Sequence, residues 1–250
     1  MIPSPDYDRL APTYDQRFEI ENDAGLPAFV TDLLSRHSGR WLEVGCGTGR
    51  WLSLGRPRQA FGLDRSWGML AQARARLVEG QLAQGVASRL PFDAESFGLV
   101  LCVHAIHHFP DLAGFVLEAV RVLQPGGSLV VAGLDAHDPE LSWYVYEYFE
   151  GVRATDLRRY PSWPGLATRL EAAGLRLSDS GRAEAIRSEL RGSQVLGDPF
   201  LQAHSTSQLA LLSQEAYQAG RQRIEHQLAL EPQAVFRTRI DVRYLKAVLP

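Results

Sequence analysis

The stretch from Trp41 to Arg50, Trp-Leu-Glu-Val-Gly-Cys-Gly-Thr-Gly-Arg, constrains this chain most. An apolar strand runs into three glycines at alternate positions, Gly45, Gly47 and Gly49, with a helix start expected behind them. Glycine lets the backbone turn with φ above zero and leaves main-chain atoms open to a ligand that a Cβ would shield. A tight turn alone does not call for three of them. The spacing is GxGxG, not the GxGxxG that admits a pyrophosphate at a helix N-terminus. Glu43, just before the loop, would repel a pyrophosphate and attract an ammonium group. Asp64 closes the next apolar segment, Phe61-Gly62-Leu63-Asp64, where a carboxylate can accept hydrogen bonds from both hydroxyls of a ribose. The two acids fit a nucleoside that carries an amino acid and no phosphate.

Around this loop, short apolar segments alternate with helical patterns. Strands are expected over 41–44, 60–63, 97–103, 128–134, 176–180 and 235–245, with 82–86 a weaker candidate. Helices are expected over 26–37, 67–78, 112–123 and 166–173, and over 207–228 as one helix or two, with Gly220 as the break. Asp111 is positioned as an N-cap, Pro125-Gly126-Gly127 stops the helix that it opens, and Gly174 ends the next one. The alternation predicts an α/β fold: a Rossmann-like, mostly parallel sheet with helices on both faces and an antiparallel final strand. At 250 residues one domain is expected, with an N-terminal helical cap over 1–38 and substrate-side elaborations over 136–164 and 187–207.

Net charge is −3 and basic residues are scattered, without the stripe that a nucleic-acid partner requires, so no nucleic acid is expected. Acids punctuate the first 38 residues and no stretch approaches 18 apolar residues, which predicts a cytoplasmic protein with no membrane partner. Cys46 and Cys102 form no spaced framework. Oligomeric state is left open.

The chain resembles the class I S-adenosylmethionine (SAM)-dependent methyltransferases, in particular the small-molecule group called type 11. The resemblance covers residues 7–135. It rests on the glycine loop, Asp64, Leu90-Pro91-Phe92 with Ser96-Phe97, His107-His108-Phe109-Pro110-Asp111, and Arg121-Val122-Leu123 leading to Pro125-Gly126-Gly127. It implies SAM as the cofactor. Glu43, Gly45, Cys46 and Gly47, with Gly49 completing the loop, would hold its methionine end and Asp64 its ribose. Arg65 and Met69 would lie near the adenine, Ala87 and Ser88 at its other edge, and Val103 before the loop beneath the sulfonium. Tyr14 resembles a tyrosine that folds over the cofactor, or is a packing aromatic. Where the family often has an acid that accepts from the adenine amine, this chain has Val86.

The expected reaction is methyl transfer to a small-molecule acceptor. The alternatives are a SAM-binding subunit without turnover, a methyltransferase acting on RNA, DNA or protein, and an NAD oxidoreductase, which the glycine spacing disfavours. The aromatic stretch after the fifth strand is expected to wall the acceptor site, with Trp143, Tyr144, Tyr146, Tyr148 and Phe149 as candidates; packing into a small helical subdomain is the other reading. His107 is the expected general base and His104 a substrate contact, while His108 orients their loop. No spaced acid or cysteine accompanies these histidines, so no metal is expected.

Overall fold

The computed structural model describes residues 4–18, 25–77 and 81–250. Parts of the expected N-terminal cap (1–3 and 19–24) and Val78, at the end of an expected helix, lie outside these residues.

Five strands run parallel: β1 (Trp41–Val44), β2 (Ala60–Asp64), β3 (Gln81–Gln84), β4 (Phe97–Val103) and β5 (Leu123–Leu134), in the order β3-β2-β1-β4-β5. Among the described residues, β6 (Ser142–Trp143), β7 (Arg176–Arg191) and β8 (Val235–Val248) complete the sheet. β8 pairs antiparallel with β5, and β6 and β7 pair antiparallel with β8.

Both faces of the sheet are covered, because the inner strands alternate apolar side chains to either side. Val100 and Cys102 of β4 join the core with α4 (Leu112–Val122) and α7 (Trp163–Ala172), which bury Phe115, Val116 and Ala119, and Leu166 and Leu170. Leu99, Leu101 and Val103 face the other core with α2 (Gly25–Ser35) and α3 (Trp67–Arg76), through Leu26, Val30, Leu34 and Leu70. Asp111 caps α4, its Oδ1 accepting the Gly114 N–H at 2.8 Å. Gly174 follows α7 at φ +91°, a left-handed turn in which the Leu175 N–H returns to the Leu170 carbonyl.

Two expectations are corrected. β7 continues through Arg191 because Arg187 to Arg191 stay in register with Arg239 to Val235, so residues 187–191 belong to the sheet and not to a connection. The last long helix starts at Gln214, where the Ser213 hydroxyl accepts the Ala216 N–H; residues 209–211 form only a 3-10 turn.

Residues 192–234 are thereby inserted between the paired ends of β7 and β8. They fold with β6, α5 (Tyr144–Tyr148) and α6 (Val152–Arg159) into a lobe with its own core of Tyr144, Phe149, Val195, Leu201, Ile224 and Phe236. Gly220 does not break helix α8 (Gln214–Leu230): it lets Phe149 close on the helix, and a Cβ there would lie 2.2 Å from that ring.

Candidate cofactor and acceptor site

The three glycines of the loop have three different jobs, and all have positive φ. A Cβ on Gly45 would meet the Ala105 Cβ at 2.4 Å, so this position lets the loop after β4 approach the loop after β1. A Cβ on Gly49 would press on Ala73 of α3 at 3.1 Å. A Cβ on Gly47 would meet nothing of the protein within 4 Å, and this face of the backbone is open to a cavity. Asp64 fixes that loop: its Oδ2 accepts the Gly47 N–H at 2.8 Å and its Oδ1 the Ser66 N–H at 2.9 Å. Burial raises the Asp64 carboxyl above its ordinary range, against the pull of these amides.

The cavity is about 200 Å³ and is lined by Tyr14, Gly45, Gly47, Asp64, Arg65, Met69, Ala87 and Ser88, all expected at the cofactor, together with His104. Val86, Tyr7, His108, Phe109 and Asp111 complete much of the rest. Side-chain bonds hold these walls. Asp8 accepts from the Ser66 hydroxyl (2.8 Å) and the Gly68 N–H (2.7 Å), docking α1 (Tyr7–Leu10), and so Tyr7, on the start of α3. Asp15 accepts from the Thr48 hydroxyl at 2.7 Å and pairs with Arg76, tying the segment that carries Tyr14 to the glycine loop. On the far side, Glu118 accepts the Leu90 N–H at 2.6 Å and Arg121 donates to the Phe92 and Leu90 carbonyls. This clamps the segment after Ala87 and Ser88.

Glu43, Cys46, Gly49 and Val103 stand behind the cavity wall. All four are buried and none lines the cavity. Cys46 and Val103 belong to the core on the α2 face. The Glu43 carboxylate is fully buried and has no hydrogen-bond partner among the described residues. Burial, and secondarily the Asp64 charge, hold its carboxyl well above the usual range.

A second cavity of about 150 Å³ adjoins the first, and Tyr7, Tyr14, His104 and His108 line both. His104 has φ +51°, a left-handed backbone uncommon outside glycine. The Tyr7 hydroxyl meets His108 Nε2 at 2.7 Å, and Nη2 of Arg159 reaches His108 Nδ1 at 3.4 Å. Arg159 is buried and pairs with Asp156 at 3.3 Å; Asp156 also accepts from the Tyr146 hydroxyl and from Gln208.

His107 lines only the second cavity of the two, with its ring stacked on Tyr160 at 4.1 Å and its Nε2 3.5 Å from the Ser207 hydroxyl. Of the expected aromatic wall, Trp143 alone lines the second cavity. Tyr144 is buried in the lobe core, donating to Asp198 at 2.8 Å, and Tyr148 packs on Phe236. A five-residue helix cannot turn consecutive aromatics to one side, and this one spends Tyr144 on the lobe. Tyr7, Tyr160, Glu184 and residues 205–208 also line this cavity and were not singled out from sequence as its wall. Contact between segments so far apart in sequence leaves no local signal.

Among the described residues, no group of three or more His, Cys, Asp or Glu is arranged for a metal, and no helix is long and apolar enough to cross a membrane.

Residues 42–131 match the family model described as a methyltransferase domain. The chain is 40% identical over 112 residues to the phthiotriol/phenolphthiotriol dimycocerosates methyltransferase of Mycobacterium leprae, a match covering 42% of each chain. It spans less than half the length of that relative. To the demethylmenaquinone methyltransferase of Lactiplantibacillus plantarum it is 27% identical over 202 residues, 67% of this chain and 85% of the other. A Bacillus halodurans C-125 protein assigned as a methyltransferase shares the fold at TM-score 0.65 and 22% identity, over 90% of this chain and 98% of that one. With the open glycine loop, Asp64 and the parallel sheet behind them, these matches make residues 42–131 a methyltransferase domain that resembles those of the class I SAM-dependent methyltransferases.

Proposed function

We propose that this protein transfers the methyl group of SAM to a small-molecule acceptor, with SAM in the cavity at the glycine loop and the acceptor in the adjoining one. The observation that carries the reading is the shared wall: the same four side chains, Tyr7, Tyr14, His104 and His108, border both cavities. A displacement needs the acceptor atom in line with the bond that breaks, and two adjoining pockets bring donor and acceptor to a common boundary.

The residues present fit SAM. Gly47 leaves a cradle that any Cβ would occupy, and Asp64 faces it with a carboxylate for the ribose hydroxyls. When bound, SAM supplies an electrophilic methyl group. Asp64 binds and orients; Met69, Ala87 and Ser88 enclose the base; Tyr14 covers the site. The lobe excludes water from the acceptor side. If the acceptor must lose a proton, His104 and His108 stand at the junction, whereas His107 can act only from the acceptor cavity, beside Ser207.

The test is to incubate the protein with deuteromethyl SAM and a small-molecule extract and to follow products by mass spectrometry. A product heavier by one labelled methyl group is expected. Tight SAM binding by calorimetry with no labelled product from extracts or quinol and phenol panels would leave a binding protein without turnover.

A further inference from the structure

We propose that Gln208 sets the length of the acceptor: its side chain closes the acceptor cavity against a pocket in the lobe, and an acceptor with an apolar chain fits only as far as that amide. This rests on the methyl-transfer reading of the same site.

The pocket, of about 210 Å³, is lined by Val152, Thr155 and Asp156 of α6 and by Gln208, Leu211 and Leu212. Among the described residues, Gln208 is the one that lines both this pocket and the acceptor cavity. Its amide nitrogen donates to Asp156 Oδ2 at 2.9 Å, in the wall of the pocket, and to the Tyr160 hydroxyl at 3.1 Å, in the wall of the cavity. The amide therefore bridges the two walls. The Ser207 hydroxyl donates to its oxygen at 3.3 Å, and the residue is buried.

This partition has a fixed anchor. Asp156 also accepts from the Tyr146 hydroxyl at 2.7 Å and pairs with Arg159 at 3.3 Å. A ligand chain that pushed Gln208 aside would break a hydrogen bond to a buried carboxylate, worth about tenfold or more in affinity. Each methylene that it buried beyond the partition would return about fourfold. A chain one methylene too long therefore loses more than it gains. Past the amide, Val152, Leu211 and Leu212 offer aliphatic side chains, just as Trp143, Ile240 and Val242 offer apolar walls before it. The length limit thus belongs to one side chain, and removing that side chain joins two spaces that both accept an apolar chain.

The experiment uses the whole chain saturated with S-adenosylhomocysteine and a series of 4-n-alkylphenols from ethyl to octyl, with affinities read by ligand-observed NMR. In the natural sequence affinity should rise about fourfold per methylene and then stop rising at one chain length. In Gln208→Ala the rise should continue for about two methylenes more, and in Gln208→Asn, which withdraws the amide by one methylene, for about one. Adding Thr155→Phe to Gln208→Ala fills the pocket from α6 and should restore the original limit. The dependence on chain length carries the result, so a loosened lobe that weakens every ligand alike does not imitate it. A natural series with no limit overturns the proposal, as does the same limit in Gln208→Ala, a longer limit that survives Thr155→Phe, or failure of the whole series to bind. S-adenosylhomocysteine affinity, measured first by calorimetry, separates the two levels: its absence breaks the methyl-transfer reading and this one with it, whereas its presence with the wrong length dependence breaks only this one.

Discussion

The Tyr7 hydroxyl lies 2.7 Å from His108 Nε2, in the wall that the two cavities share. Nδ1 of the same ring is approached by Arg159 Nη2 and by the Ser4 hydroxyl, each at 3.4 Å. Tyr7→Phe removes the hydrogen bond to Nε2. It should slow single-turnover methyl transfer by about five- to tenfold, the equivalent of one net hydrogen bond of ~1 kcal/mol, with SAM affinity changed less than twofold, about the limit of calorimetric resolution. A rate equal to that of the unaltered chain would mean that the contact plays no part in the reaction.

Asp64 and Gly47 define the cofactor side. Asp64→Ala loses the bonds to the Gly47 and Ser66 amides as well as the ribose acceptor, and should weaken SAM binding by about 1.5–3 kcal/mol, the range for bonds to a charged group. Gly47→Val should abolish binding because its side chain fills the cavity, and should cost about 1–2 kcal/mol of stability from the left-handed backbone at φ +51°. Gly45→Ala should reduce stability further, because its Cβ would also overlap Ala105. Calorimetry and thermal melts on the three variants check the pattern; equal SAM binding by Asp64→Ala would displace the cofactor from this cavity.

Glu43 makes stability depend on pH. Its folded carboxyl holds a proton more tightly than the ordinary value of 4.5 expected in the unfolded chain. Between that value and the raised one the native state binds more protons than the unfolded state, so stability falls as pH rises through this window. Glu43→Gln removes the penalty. Its melting temperature should exceed that of the unaltered chain by a margin that is small near pH 4.5 and grows on going to neutral pH, at about 2–4 °C per kcal/mol for a chain of this size. A margin independent of pH would show that the carboxyl titrates normally.

Val86 lines the cofactor cavity and is 53% exposed, so an acid there disturbs no core. Val86→Asp, supplying an acceptor for the adenine amine, should tighten SAM binding by about 0.5–1.5 kcal/mol and leave the melting temperature within a degree or so. Weaker binding would place the adenine elsewhere.

The lobe depends on Gly220. Gly220→Ala drives a methyl group into the Phe149 ring and should cost about 1–3 kcal/mol, the usual range for overpacking. Loss of acceptor binding before loss of SAM binding on heating is the expected signature, because the lobe walls only the second cavity. A melt identical to that of the unaltered chain would mean that Phe149 rotates away at no cost.

The sequence by itself determined the parallel half of the sheet and the cofactor loop. Strand 97–103 and the start of α4 at Asp111 are local outcomes of an apolar run and an N-cap, and each glycine at 45, 47 and 49 sits in the positive-φ backbone that favours glycine. Asp64 ends its strand facing the loop because both follow from strand length and parallel register. Contacts between segments far apart in sequence were decided only by tertiary structure. The pairing of Arg187–Arg191 with β8 turned an expected connection into strand, since a long antiparallel partner satisfies backbone groups that a polar sequence does not mark as strand. Trp143 and Tyr144 both enter the lobe's interior, but only Trp143 also reaches the cavity. His107 is drawn against Tyr160 and Ser207, while His108 meets Tyr7 from the other end of the chain. A side chain's neighbours at such separations are set by packing, and no local pattern encodes them.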